Sequence, residues 1–126
     1  AGMSGRASAQ PFNFFADPLP DSPDLITLVR VLHDHDDAAV AQLLSNVAQH
    51  LGTRPLAVIE PFADPSSPSG LDVYFPWYFS AMGPGRLRTE GELRAHLAAA
   101  GFGRINRLHS RNRVLVRGLV AWANSN

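Results

Sequence analysis

The stretch Asp24-Leu-Ile-Thr-Leu-Val-Arg-Val-Leu-His-Asp-His-Asp-Asp37 decides how the rest of the chain is read. From Leu25 to Leu32 it is apolar except for Thr27 and Arg30, and Ile26, Thr27, Val29 and Val31 are β-branched. A run of this length and branching predicts a strand over 25–32, buried on both faces as in a parallel sheet. The apolar character stops at His33, where a series of consecutive ionisable side chains begins. Asp36 or Asp37 then serves as the cap of a following helix. Ligands of open α/β sheets sit at the carboxyl ends of strands, so this titratable cluster is the first place to look for chemistry.

Outward from that stretch, Val40, Leu43, Leu44, Val47 and Leu51 recur at helical spacing, and Gly52 ends the helix. Leu56-Ala-Val-Ile59 predicts a second buried strand, ending at Glu60. Strand, helix and strand with short connections make a parallel crossover unit. Residues 61–70, rich in proline and serine, predict a loop. The aromatic segment that follows predicts a helix over 73–82, with Pro76 in its first turn or at a kink. Gly83-Pro-Gly85 breaks it. Thr89 and Glu92 stand at capping-box spacing before a helix carrying Leu93, Leu97 and Ala100. Two strands, 103–109 and 113–121, finish the chain as an antiparallel pair turning at Ser110-Arg-Asn112. The predicted class is α/β, in one domain spanning 1–126.

Hydrophobic residues make up 45% of the 126, and the formal net charge is zero, as in an ordinary globular chain. The absence of cysteine excludes disulfides and thiolate metal sites. No apolar run reaches the length of a transmembrane segment, and the N-terminus lacks a signal-peptide pattern, so the cytoplasm is the expected compartment. The balanced charge hides an asymmetry: eight of the eleven arginines follow Gly85, and nine of the eleven acids precede it. A basic C-terminal surface could meet nucleic acid or anionic lipid. Without aromatic residues interleaved among the arginines, solvated strand faces explain it as well, and no nucleic-acid partner is expected. His33 and His35 at i, i+2 could share a metal with Asp36 or Asp37, but no distant further ligand is in view and no metal is expected. Taken alone, His33 could simply end a strand, Glu60 could cap a helix or pair with an arginine, and the aromatic cluster at 74–79 could be core or ligand wall.

Four stretches narrow these options: Asn13-Phe-Phe-Ala-Asp-Pro-Leu-Pro20, Arg30-Val-Leu-His-Asp-His-Asp-Asp37, Val58-Ile-Glu-Pro61, and Gly85-Arg-Leu-Arg-Thr89 leading to Ala99-Ala-Gly-Phe102. In order and spacing they resemble the S-adenosylmethionine-dependent O-methyltransferases of the caffeic acid, acetylserotonin and hydroxyneurosporene type. The second is close to that family's Leu-His-Asp-Trp-x-Asp signature, with His35 in place of tryptophan. Ala81-Met-Gly-Pro-Gly-Arg86 and the aromatic helix look most like the bacterial carotenoid hydroxyl methyltransferases.

The resemblance implies the C-terminal part of a Rossmann-like catalytic domain. It implies a general base at His33 with Asp34 beside it, and Glu60 as one of two acids that hold the imidazole. Asn13, Phe14 and Arg30 are implied at the cofactor, and Tyr78, Met82 and Trp77 at the pocket of a small apolar hydroxylated substrate such as a carotenoid. With such a substrate the protein would be peripheral to a membrane. Three departures accompany these roles. The second flanking acid falls on Leu87, the family's usual aspartate is Asn13, and no glycine-rich Asp-x-Gly-x-Gly cofactor loop occurs in the sequence. The expectation is therefore a chain that lacks the cofactor loop and the N-terminal dimerisation region. Its strand at 25–32 would have an edge covered by self-association or by a partner chain. The alternative is a catalytically inactive remnant acting as a structural or interaction subunit.

Overall fold

The crossover unit forms around the opening stretch. In a computed structural model describing residues 5–19, 23–68, 70–109 and 117–124, β1 (Ile26–Val29) and β2 (Pro55–Glu60) run parallel, with Ile26 opposite Leu56 and Val29 opposite Ile59. Helix α1 (Asp37–Leu51) connects them. Of the two candidate caps, Asp36 takes the position: its Oδ1 accepts from the Ala39 N–H at 2.8 Å. All five periodic residues of α1 are at most 1% exposed, and burying each contributes about 1.5–3 kcal/mol.

β1 differs from its sequence-based expectation. It is four residues long, and only Leu28 is buried, while Val29 is 52% exposed. It lies at one end of the sheet order β1-β2-β6-β5, so among the described residues no strand pairs with its outer edge. Arg30 ends the strand in a left-handed conformation, with φ 54°, which costs a residue bearing a Cβ about 1–2 kcal/mol. The Arg30 N–H still donates to the Ile59 carbonyl at 2.9 Å. Leu32–Asp34 then form a single 3-10 turn, so the ionisable cluster sits on a turn and not on the strand end itself.

Beyond β2, Phe62–Ala63 form a short strand, β3, inside the segment expected to be loop. Helix α2 spans Gly70–Met82, three residues more than expected at its start, with Pro76 inside it. β4 (Arg88–Thr89) pairs in parallel with β3, Phe62 opposite Arg88. Thr89 and Glu92 complete the capping box of α3 (Glu90–Ala99). β5 (Phe102–Leu108) and β6 (Arg117–Ala123) are antiparallel as expected, and β6 inserts between β5 and β2. The turn at Ser110–Asn112 and residues 113–116 of the expected last strand lie outside the described residues. Helices α1 and α3, with Leu28, Leu32, Leu56, Val58, Leu119 and Ala121 of the sheet side, form one apolar cluster. His33, Glu60 and Arg88 are the buried charged or polar residues among those described.

Candidate active site

His33 and Glu60, 27 residues apart, meet because β1 and β2 are parallel neighbours whose carboxyl ends coincide. Both side chains are almost fully buried. The His33 Nδ1 to Glu60 Oε2 distance is 2.5 Å. The other carboxylate oxygen, Oε1, accepts from the backbone N–H groups of Val31 and Leu32, each at 2.8 Å. Glu60 thereby supplies acceptors to a tight turn whose N–H groups would otherwise be buried without partners. With Nδ1–H donating to Glu60, the lone pair of the neutral ring is at Nε2. Nε2 faces Asp34, whose Oδ1 is 3.4 Å away and whose side chain is half exposed. Such an imidazole can take a proton at Nε2, and the resulting cation has Glu60 on one side and Asp34 on the other.

An aromatic wall closes over the ring. Phe75 and Phe79, one turn apart on α2, lie 5.8 and 6.0 Å from the His33 ring centroid. Below it, Gly85 approaches so closely that a Cβ there would come within 2.2 Å of the His33 carbonyl oxygen and 2.9 Å of Asp34 Cα. Only glycine fits that crossing. A depression of about 170 Å³ opens beside Asp34, lined by Tyr78, Phe79, Met82, Gly83 and Gly85. A second, of about 400 Å³, shares Phe79 and Gly85 and includes Leu87, Asp72 and Arg86.

Of the residues singled out in the sequence, His33, Asp34 and Glu60 come together, and Tyr78 and Met82 line the depression next to Asp34. Trp77 does not: it is 77% exposed on another side of α2. Asn13 and Phe14 belong to a turn in which the Asn13 carbonyl accepts from Ala16 and Asp17 N–H groups. Asn46 of α1 anchors that turn through the Phe14 carbonyl at 3.0 Å. The Phe14 and Phe15 rings both pack edge-on against His35, so His33 and His35 face different neighbours. The Asn13 Oδ1 accepts from the Phe15 N–H at 3.1 Å, which leaves its amide Nδ2 as a donor beside the half-buried Phe14 ring. Arg30 is exposed just past β1.

Sequence reasoning gave no role at the base to four residues. Phe75 and Phe79 were inside the recognised aromatic cluster, and their i, i+4 spacing could have marked them as one wall. Gly85 was read as a helix breaker and as part of a family stretch, with no sign of its close approach to the His33 backbone. Arg88 is 4% exposed, and it donates to the Leu32 and His35 carbonyls and to Asp37. One arginine of the Arg86-Leu-Arg88 pair, between a turn and a capping threonine, gives no local sign of such burial. Asp37 receives Arg86 as well, and the Arg86 hydrogen bond, with help from Arg88 and against partial desolvation, holds its carboxyl well below the ordinary 3.8.

Comparison with known proteins places this geometry. The profile of the O-methyltransferase domain matches residues 2–103. The demethylspheroidene O-methyltransferase of Rhodobacter capsulatus is 41% identical over 109 residues, covering 83% of this chain and 27% of that protein. The acetylserotonin O-methyltransferase of Mus musculus is 40% identical over 97 residues, covering 74% of this chain and 24% of that protein. The chain thus spans about a quarter of the length of these relatives. Human N-acetylserotonin methyltransferase, solved in complex with SAM, superposes with a TM-score of 0.81 at 26% identity, covering 92% of this chain and 33% of that one. An O-methyltransferase from neocarzinostatin biosynthesis, solved with S-adenosyl-L-homocysteine and 1,4-dihydroxy-2-naphthoic acid, gives 0.75 at 29% identity, covering 98% and 36%. The described strands and helices correspond to the C-terminal part of such structures. The chain belongs to the S-adenosylmethionine-dependent O-methyltransferase family.

Proposed function

We propose that these residues form the base-bearing part of an O-methyltransferase catalytic domain, in which His33 accepts the proton of a substrate hydroxyl. The observation that carries this reading is the buried His33–Glu60 pair, whose carboxylate is itself fixed by the Val31 and Leu32 N–H groups. S-adenosylmethionine, when bound, supplies an electrophilic methyl group on a sulfonium. Everything else required is positioning and one base. Glu60 keeps the Nδ1 proton in place, so Nε2 is the atom that receives the hydroxyl proton. Asp34, 3.4 Å from Nε2, stabilises the imidazolium and offers a route for the proton to solvent. Phe75 and Phe79 exclude water from the ring. Asn13 and Phe14 would hold the purine, with Arg30 nearby in sequence to the base.

The substrate side is apolar: Tyr78, Phe79 and Met82 face the hydroxyl-accepting depression, with Asp34 as its charged member. A hydroxylated carotenoid is the substrate class that this wall and the similarity to the demethylspheroidene enzyme support. No helix among the described residues is long and apolar enough to cross a membrane, and such a substrate would be met from the bilayer surface. The outer edge of β1, beside exposed Leu25 and Val29, is where a second copy or a partner chain would add a strand. Sedimentation of the purified chain as a monomer at micromolar concentration would remove that last element.

The central test is His33→Gln in the intact enzyme, the chain that carries these residues together with a cofactor loop. Turnover of a hydroxylated carotenoid should be abolished, while the affinity for S-adenosylmethionine, measured by calorimetry, stays nearly unchanged. Equal loss of both would make His33 structural and end the base assignment.

A further inference from the structure

We propose that Arg88 is a positioning residue for the base: it holds the His33 turn from its carbonyl side, as Glu60 holds it from its N–H side. This rests on the reading of His33 as the base. Arg88 Nη1 donates to the Leu32 carbonyl at 2.8 Å, and Nη2 donates to the His35 carbonyl at 2.8 Å. Its Nε and Nη2 both reach Asp37 Oδ1, at 2.9 and 2.7 Å. One planar guanidinium therefore spans acceptors on both sides of His33 and on the first residue of α1, a reach that a lysine ammonium cannot reproduce.

The two anchors are also tied to each other. Glu60 ends β2, Phe62 follows two residues later in β3, and Phe62 is the register partner of Arg88. A small cavity of about 10 Å³ is lined by His33, Glu60 and Arg88 together, so all three groups border one space. Between an anionic anchor on its N–H groups and a cationic anchor on its carbonyls, the turn has little freedom to rotate the imidazole.

The test compares Arg88→Met, Arg88→Lys, Arg94→Met and His33→Gln in the methyl-transfer assay of the intact enzyme, with melting temperatures and ¹⁵N shifts of the His33 ring. Arg94 is the control, because it binds the Glu90 carboxylate and the Ile105 carbonyl away from His33. Arg88→Met should lower kcat on the order of 100-fold, the cost of a misplaced catalytic group, with KM for the cofactor little changed and the His33 shifts moved. Arg88→Lys should recover part of kcat, and Arg94→Met should keep it at a comparable loss of melting temperature. A kcat for Arg88→Met within threefold of the parent, or an equal loss in Arg94→Met, overturns the assignment. If Arg88→Met does not fold, Arg88→Lys decides: reduced kcat with unchanged melting supports the role, and parental kcat with parental shifts overturns it. His33→Gln separates the two layers. Retained turnover there defeats the base reading itself, whereas a dead His33→Gln beside a fully active Arg88→Met defeats Arg88 alone.

Discussion

Replacing Glu60 by glutamine puts the site's hydrogen-bond logic to a quantitative test. The side chain is 3% exposed and accepts three hydrogen bonds, from Val31 N–H, Leu32 N–H and His33 Nδ1–H. Glutamine offers one carbonyl oxygen and one amide group, so one side of the site must now meet a donor. If the amide faces the backbone, two buried N–H groups lose their acceptor. If it faces the ring, one donor is opposed. Each buried donor left without a partner costs about 1–3 kcal/mol, so the orientation toward the ring wins by about one such cost. The ring can then relieve the conflict by moving its proton from Nδ1 to Nε2. That tautomer cannot accept a substrate proton, so turnover should fall on the order of 10⁴-fold, as for the wrong tautomer in a serine protease triad. The protein should lose only about 1.5–3 kcal/mol of stability, one charge-assisted hydrogen bond. Urea denaturation measures the second quantity, single-turnover methyl transfer by the intact enzyme the first, and long-range ¹H–¹⁵N correlation of the ring reads the tautomer. A Glu60→Gln protein with an Nδ1–H ring, or with turnover within tenfold of the parent, would refute the argument.

Two further outcomes are expected. Gly85→Ala places a methyl group against the His33 carbonyl oxygen, Asp34 Cα and the Phe79 ring; because two of these are backbone, it should destabilise by about 1–3 kcal/mol and lower turnover, whereas Gly5→Ala, with nothing within 4 Å, should do neither in the same melting experiment. Asp37, held below 3.8 first by Arg86, has a depressed folded-state pKa, so its contribution is present above about pH 4 and is lost as the pH falls further. Asp37 is half exposed, so Asp37→Asn should cost only about 1 kcal/mol at neutral pH, and the melting-temperature gap between the two proteins should close below pH 4; a gap constant from pH 6 to pH 2.5 would contradict this.

Much of this arrangement was legible in residue patterns, and the exceptions have physical reasons. Val40, Leu43, Leu44, Val47 and Leu51 form the buried stripe of α1 because a 3.6-residue period needs no tertiary information. Thr89 and Glu92 cap α3 through bonds local to one turn. The meeting of His33 and Glu60 follows from parallel pairing, with Glu60 ending β2 and His33 on the turn that follows β1. By contrast, β1 was expected to be twice as long, because branched apolar residues indicate extended backbone without revealing that β1 would lie at a sheet end, with Val29 exposed and Arg30 turning the chain at positive φ. β3 and β4 are two residues each, too short for any period, and exist because Phe62 and Arg88 are brought side by side from distant parts of the chain. Arg88 could not be recognised for the same reason: its partners Leu32 and His35 are more than fifty positions earlier.

The sheet order has a consequence for synthesis. β6, the last described strand to leave the ribosome, fills the slot between β2 and β5, and its Leu119 and Ala121 are fully buried. Until it emerges, β2 keeps an open edge on that side and β5 has no neighbour to join. The nascent chain can assemble β1, α1 and β2, and even bring Glu60 to His33, while two apolar strand edges still await the same partner. Release of a chain cut before Arg117 would therefore split the sheet down its middle and leave two sticky edges, a species suited to aggregation or proteolysis. Assembly of the described sheet is thus keyed to the arrival of β6.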